Sequence, residues 1–137
     1  MDVLSFSTIA GNIKNEISRK CGLNLSQTRI LLYFYRNNNT ALKMGDLANK
    51  LQISLSTLSR QLQQKKTMSL VTIKRSETDS SKTVWLNQHG LAKIEELRKA
   101  LKEIEKSLLQ GLSDDEIKLL NQIFTKLVQK TEKSTSI

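Results

Sequence analysis

Residues 54–66 read SLSTLSRQLQQKK. Leu55, Leu58 and Leu62 recur at helical spacing and fall within about 60° of arc at roughly 100° per residue. Every residue between them is Ser, Thr, Arg, Gln or Lys, and none is acidic. Ser54 is a good N-cap, so the spacing predicts a helix that starts there and rests on three leucines. Ser56, Thr57, Arg60 and Gln64 lie opposite the leucines, Gln61 and Gln63 lie at the flanks, and Ser59 and Lys66 fall nearer the inner edge. What an acid-free face of hydroxyls, amides and one guanidinium is for depends on its neighbours.

Upstream, Phe6, Ile9, Ile13 and Ile17 mark a first amphipathic helix ending near Cys21-Gly22. Asn24 followed by Gln27 has the form of a capping box that opens a second helix, carrying Ile30, Leu31, Phe34 and Tyr35. That helix stops at Asn37-Asn38-Asn39. A short third helix is expected over MGDLANKL, with Lys43 at the usual cap position and Thr40 as the residue able to cap in its place. Gln52-Ile53 then forms a turn before Ser54.

Downstream the texture changes. LVTIKR (70–75) and TVWL (83–86) are rich in β-branched residues, and SETDSSK (76–82) between them is turn-like, so the segment reads as a hairpin with a partly basic tip. Asn87 caps a long helix in which Ile94, Leu97, Leu101, Ile104 and Leu108 form an a/d seam. From 87 to 110 it would span roughly 35 Å. Ser113 and Glu116 form a second capping box, opening a last helix with Ile117, Leu120, Phe124 and Leu127 on one face. The tail TEKSTSI is polar and expected to fray. No repeat or linker interrupts the chain, so residues 1–137 are expected to form one domain.

The composition sets the class. Charged residues are 26% and hydrophobic residues 38% of 137, an ordinary globular balance that excludes a disordered chain. No apolar run reaches the ~20 residues of a membrane span, the N-terminus lacks a secretory pattern, and the single Cys21 agrees with a reducing cytoplasm. Net charge is +9, and residues 40–90 hold eight Lys/Arg against three Asp/Glu. A local basic excess is the footprint of a phosphate-binding surface.

The order helix, tight turn, polar helix, hairpin is that of a winged helix-turn-helix, whose second helix enters the DNA major groove. The side chains suit that task. Arg can donate twice to guanine, Gln can pair with adenine, and Ser and Thr can serve bases or phosphates. Carboxylates would be repelled by phosphates, and the face has none. The expected contacts are Ser54, Ser56, Thr57, Arg60, Gln61, Gln64 and Lys65 from the helix, with Lys74, Arg75 and Lys82 from the basic wing.

The run LANKLQISLSTLSRQLQQKKTMSLVTIKR resembles the winged helix-turn-helix core of the MarR (multiple antibiotic resistance regulator) family of bacterial transcription factors, most specifically at 54–62. LNLSQTRILLY (23–33), WLNQHG (85–90) and LSDDEIKLLNQIFTKL (112–127) are similar to other parts of that family. The resemblance implies a mainly α fold with a small β-hairpin wing. Its winged helix-turn-helix (24–86) would be flanked by dimerisation helices at 1–22 and 87–133. It also implies a homodimer that binds pseudo-palindromic promoter DNA, usually as a repressor. Family wings commonly carry Asp-x-Arg; here Asp79 is present, Ser81 stands in the Arg position, and Lys82 follows.

The terminal seams are longer than one small domain needs for its own core. They are expected to dimerise through Phe6, Ile9, Ile13, Leu101, Ile104, Leu108, Ile117, Leu120, Phe124 and Leu127. Two recognition helices must lie ~34–36 Å apart to enter successive grooves, a scale that long helices can set. Family members often answer to small-molecule effectors or oxidants. Cys21, beside Arg19 and Lys20, is the one candidate redox sensor. His89 stands alone, so no metal site is expected, and no cofactor either. With no phosphate loop or nucleophile constellation, an enzyme is not expected. The expected function is a cytoplasmic regulator of transcription that binds double-stranded DNA. The alternative is a winged-helix module that binds an acidic protein partner.

Overall fold

The computed structural model describes residues 1–135, with side chains described through residue 132. The chain divides into two compact units, residues 1–102 and 103–137. The first contains α1 (Ser5–Cys21), α2 (Leu25–Arg36), β1 (Leu42–Lys43), α3 (Met44–Leu51), α4 (Leu55–Gln63), α5 (Lys65–Met68), β2 (Val71–Arg75), β3 (Lys82–Leu86) and most of α6 (Gln88–Leu108). The second contains the end of α6 and α7 (Asp114–Thr135).

Side-chain caps set most of the element boundaries. The Asn24 side chain accepts from the Gln27 N–H at 2.9 Å, and the Gln27 side chain accepts from the Asn24 N–H at 2.9 Å, closing the capping box of α2. Ser54 caps α4 by accepting from the Thr57 N–H at 3.1 Å. Asn87 caps α6 by accepting from the Gly90 N–H at 2.9 Å. Each cap satisfies an amide that would otherwise lack a partner at a helix start, worth ~1 kcal/mol. The start of α3 differs from expectation. Its cap residue Lys43 makes no side-chain cap bond, and the Thr40 hydroxyl donates instead to the Asn37 carbonyl at 2.8 Å.

The core of the first unit gathers Ile30, Leu31 and Phe34 of α2, Leu47 of α3, Leu58 and Leu62 of α4, Val84 and Leu86 of β3, and Ile94 and Leu97 of α6, all buried. In this frame α3 packs on both α2 and α4, the helix-turn-helix contact. The hairpin gains a third strand that its sequence did not announce. β1 pairs antiparallel with β3, giving the order β1-β3-β2. Asn39, in the left-handed region at φ 53°, extends that pairing. Its amide donates to the Leu86 carbonyl at 3.0 Å and accepts from the Leu86 N–H at 2.8 Å, as a strand neighbour would.

In the second unit, Ser113 and Glu116 form the expected capping box, with bonds of 3.2 and 2.9 Å. α7 then presents Leu119, Leu120, Ile123, Phe124, Leu127 and Val128 to solvent, each at least 37% exposed. Among the residues of this helix whose side chains are described, Ile117 alone is half-buried. Among the described residues no helix is long and apolar enough to cross a membrane.

Candidate nucleic-acid interface

α4 rests on Leu58 and Leu62, which are 0% and 2% exposed. Leu55 corrects the expected three-leucine anchor: it is 53% exposed, because the first turn of α4 projects beyond the core. It lines a recess of about 420 Å³ together with Lys43, Met44, Ser59, Ser81 and Lys82. The far side of α4 carries Ser56, Arg60 and Gln63, all exposed, with Thr57 and Gln61 half-buried at its margins. Gln63 was assigned only to a flank, yet it shares the exposed face at the last residue of the helix.

Ser54, Ser56, Thr57 and Arg60 form one connected set. The Ser54 hydroxyl donates to Thr57 Oγ1 at 2.8 Å and lies 3.1 Å from Ser56 Oγ. Arg60 Nη2 lies 3.5 Å from Thr57 Oγ1, a long contact that leaves most of the guanidinium's five donors free for another molecule.

The helix expected to run through Lys66 ends at Gln63. Gln64 turns extended, at φ −63° and ψ 131°, and a separate short helix, α5, begins at Lys65. Gln64 therefore leaves the α4 face, and its side chain accepts from Asn24 Nδ2 at 3.3 Å. Lys65 is exposed on α5. Lys66, expected at the inner edge of a longer α4, stands instead on α5, exposed, with its ammonium donating to the Gly22 carbonyl.

The sheet concentrates cations. Arg75 and Lys82 stand directly opposite each other across β2 and β3, and both are exposed. Like charges directly opposed on a sheet repel, and an anion placed between them relieves that cost. On the other face Lys43, Thr83 and Lys74 lie abreast across the three strands, with both lysines exposed. Asp79 feels the charge of Lys43 only as the smallest of the causes that lower its pKa, and its main part is to shape the tip. Its carboxylate accepts from the Ser81 N–H at 2.9 Å and from the Ser81 hydroxyl. The Ser81 hydroxyl bond is the main reason its pKa lies below the usual carboxylate value, followed by the Ser81 N–H. The tip thus keeps this tie down to acidic pH and loses it as pH falls through that lowered pKa.

The remaining expected site residues divide by burial. Cys21 is 4% exposed and its Sγ lies 3.9 Å from the Glu96 carbonyl. His89 is exposed at the start of α6, and the described residues contain no cluster able to hold a metal ion. Of the expected dimer seam, Phe6, Ile9, Leu108, Leu120, Phe124 and Leu127 are exposed, while Ile13, Leu101 and Ile117 are half-buried. Ile104 is 8% exposed and belongs to the chain's own packing.

The fold and this surface define a winged helix-turn-helix protein. A family model described as "MarR family" matches residues 22–80, the segment running from the start of α2 to the wing tip. That segment thus matches the family's model, and the whole chain shares its fold with solved structures of MarR and MepR. A crystal structure of MarR superposes with a TM-score of 0.82 at 18% identity, covering 99% of this chain and 95% of that one. The S. aureus MepR–DNA complex gives 0.73 at 22% identity, covering 96% of each chain. A MarR mutant from E. coli complexed with operator DNA gives 0.71 at 16% identity, covering 93% of this chain and 99% of that one. No curated protein matches by sequence.

Proposed function

We propose that the chain is a homodimeric, sequence-specific DNA-binding regulator of transcription, acting as a repressor on pseudo-palindromic promoter DNA. The observation that carries this reading is the outer face of α4: Ser56, Arg60 and Gln63 are exposed and acid-free, and the contacts given for Ser56 and Arg60 stay within the helix and its cap. A solvated helix face has no reason to exclude carboxylates, whereas a helix in a major groove does. The opposed Arg75 and Lys82, with Lys43 and Lys74 behind them, supply the phosphate contacts. Two of the similar structures are DNA complexes, which supports the same assignment. The regulator carries no catalytic role in this reading and works in the cytoplasm.

Two substitutions separate base reading from phosphate contact. Arg60→Ala is expected to cost about 1–3 kcal/mol on the preferred duplex and to relax preference at one base position. Selection from a random DNA pool with each protein measures this, and an unchanged preferred sequence removes Arg60 from base reading. Lys82→Ala is expected to weaken all duplexes alike and to lower the slope of log affinity against log salt by about 1. A loss confined to the preferred duplex would instead place Lys82 in sequence reading.

A further inference from the structure

The C-terminal end of α4 is not continued by helix, so something other than helical hydrogen bonding must fix its direction. Three side-chain bonds do this. Asn24 Nδ2 donates to Gln64 Oε1 at 3.3 Å, the Lys66 ammonium donates to the Gly22 carbonyl, and Gln27 Nε2 donates to Thr67 Oγ1 at 3.2 Å. The first partner in each bond lies at the junction of α1 and α2 or in the α4–α5 bend, and the second lies in the other. Gln27 and Thr67 are 4% and 1% exposed, so their bond is shielded from water, while the other two are exposed. One Gln27 amide therefore serves two elements: its oxygen closes the α2 capping box and its nitrogen holds α5.

We infer that Gln27 is a positioning residue for DNA reading. With Thr67, and assisted by Asn24, it clasps the α4–α5 bend to the first turn of α2 and fixes the angle at which Arg60 and Gln63 are presented. The inference rests on the DNA-binding reading above. It also gives α1 a mechanical line to α4: the helix whose outer end exposes Phe6 and Ile9 ends at Gly22, the carbonyl that Lys66 holds. A displacement of α1 reaches the bend through the Gly22–Lys66 bond, beside the packing of Ile17 and Cys21 in the core.

The test uses a Gln27→Met/Thr67→Val double variant. Replacing both members of this buried hydrogen bond by apolar groups of similar shape leaves neither of them unpaired, and the Asn24 N–H that loses the Gln27 oxygen belongs to an exposed residue and can turn to water, so folding is retained. The probes are the duplex that the wild-type protein selects from a random pool and a scrambled duplex of the same composition. The double variant is expected to bind the scrambled duplex within twofold of wild type, with an unchanged salt slope. Its affinity for the selected duplex should fall tenfold or more. Asn24→Ser, which keeps a good N-cap and removes only the amide reaching Gln64, provides a folded second variant with an expected loss of about threefold on the selected duplex. Equal losses on both duplexes would reduce the clasp to a folding contact and overturn the inference, as would unchanged affinity for the selected duplex in both variants. If the wild-type protein selects no duplex at all, the DNA-binding reading itself fails, and that result appears before any variant is made.

Discussion

Replacing Leu120 and Phe124 by Asp is expected to convert the protein from dimer to monomer and to weaken its binding to promoter DNA by about 10²–10⁴-fold, the factor a second linked binding site supplies. The expectation starts from α7. Six large apolar side chains on that helix are exposed at 37–56% each, at spacings that place them in a continuous stripe. Monomeric soluble proteins rarely leave such a stripe in water, because every buried Å² of it is worth roughly 25 cal/mol. In the proposed homodimer a second copy of the chain covers it, and Phe6 and Ile9 of α1 are exposed as well. Two carboxylates buried in that contact without partners would cost several kcal/mol. Both positions are exposed in the single chain, so the helical content of the variant should match that of wild type. Sedimentation equilibrium at micromolar concentration reads the outcome. A wild-type protein that sediments as a monomer, or a variant that stays dimeric, would refute the assignment of this face.

Gly90→Ala is expected to destabilise the fold by about 3 kcal/mol, the upper end for overpacking at a site that cannot relax. A methyl group at Gly90 would collide with the carbonyl oxygen of Leu70 and stand 3.1 Å from Leu86 Cβ. Neither neighbour can move away. The Leu70 carbonyl accepts from the Asn87 N–H at 3.1 Å, and Asn87 Nδ2 also donates to the Ser69 and Val71 carbonyls at 3.0 and 3.3 Å. The start of α6 is thus bolted to the start of β2, and a methyl group at Gly90 would force the two apart. Thermal unfolding should fall by roughly 10 °C. Gly45→Ala is the control: nothing lies within 4 Å of its would-be Cβ, so that change should be neutral or stabilise by up to ~1 kcal/mol. Equal melting temperatures for Gly90→Ala and wild type would contradict the packing described.

The sequence disclosed what depends on neighbouring residues along the chain. The caps at Asn24, Ser54, Asn87 and Ser113 were readable because a short polar side chain reaches only the next turn of its own helix. The hairpin and the buried pair Leu58 and Leu62 followed from periodicity alone. What stayed hidden depends on contacts across the fold. β1 is two residues long and exists only because β3 offers an edge. Asn39 reads as a helix stop, and nothing nearby in sequence indicates that its side chain pairs with Leu86, 47 residues away. The end of α4 at Gln63 carries no Gly or Pro to mark it; the bend is held by Asn24 and Gln27, 40 residues upstream. Leu55 looked like an anchor by angle, but a helical wheel does not say how far along its length a helix overhangs its support.

The measurement that tests the central claim most directly is the affinity of the wild-type protein for duplex DNA from upstream of its own gene, against a scrambled duplex, between 50 and 200 mM salt. A specific regulator using the α4 face and the basic wing should prefer its own site by at least ~10³-fold. Both affinities should fall linearly in log–log form as salt rises. Binding that ignores salt, or that treats the two duplexes alike, would contradict sequence-specific DNA recognition and leave the basic wing to an acidic protein partner.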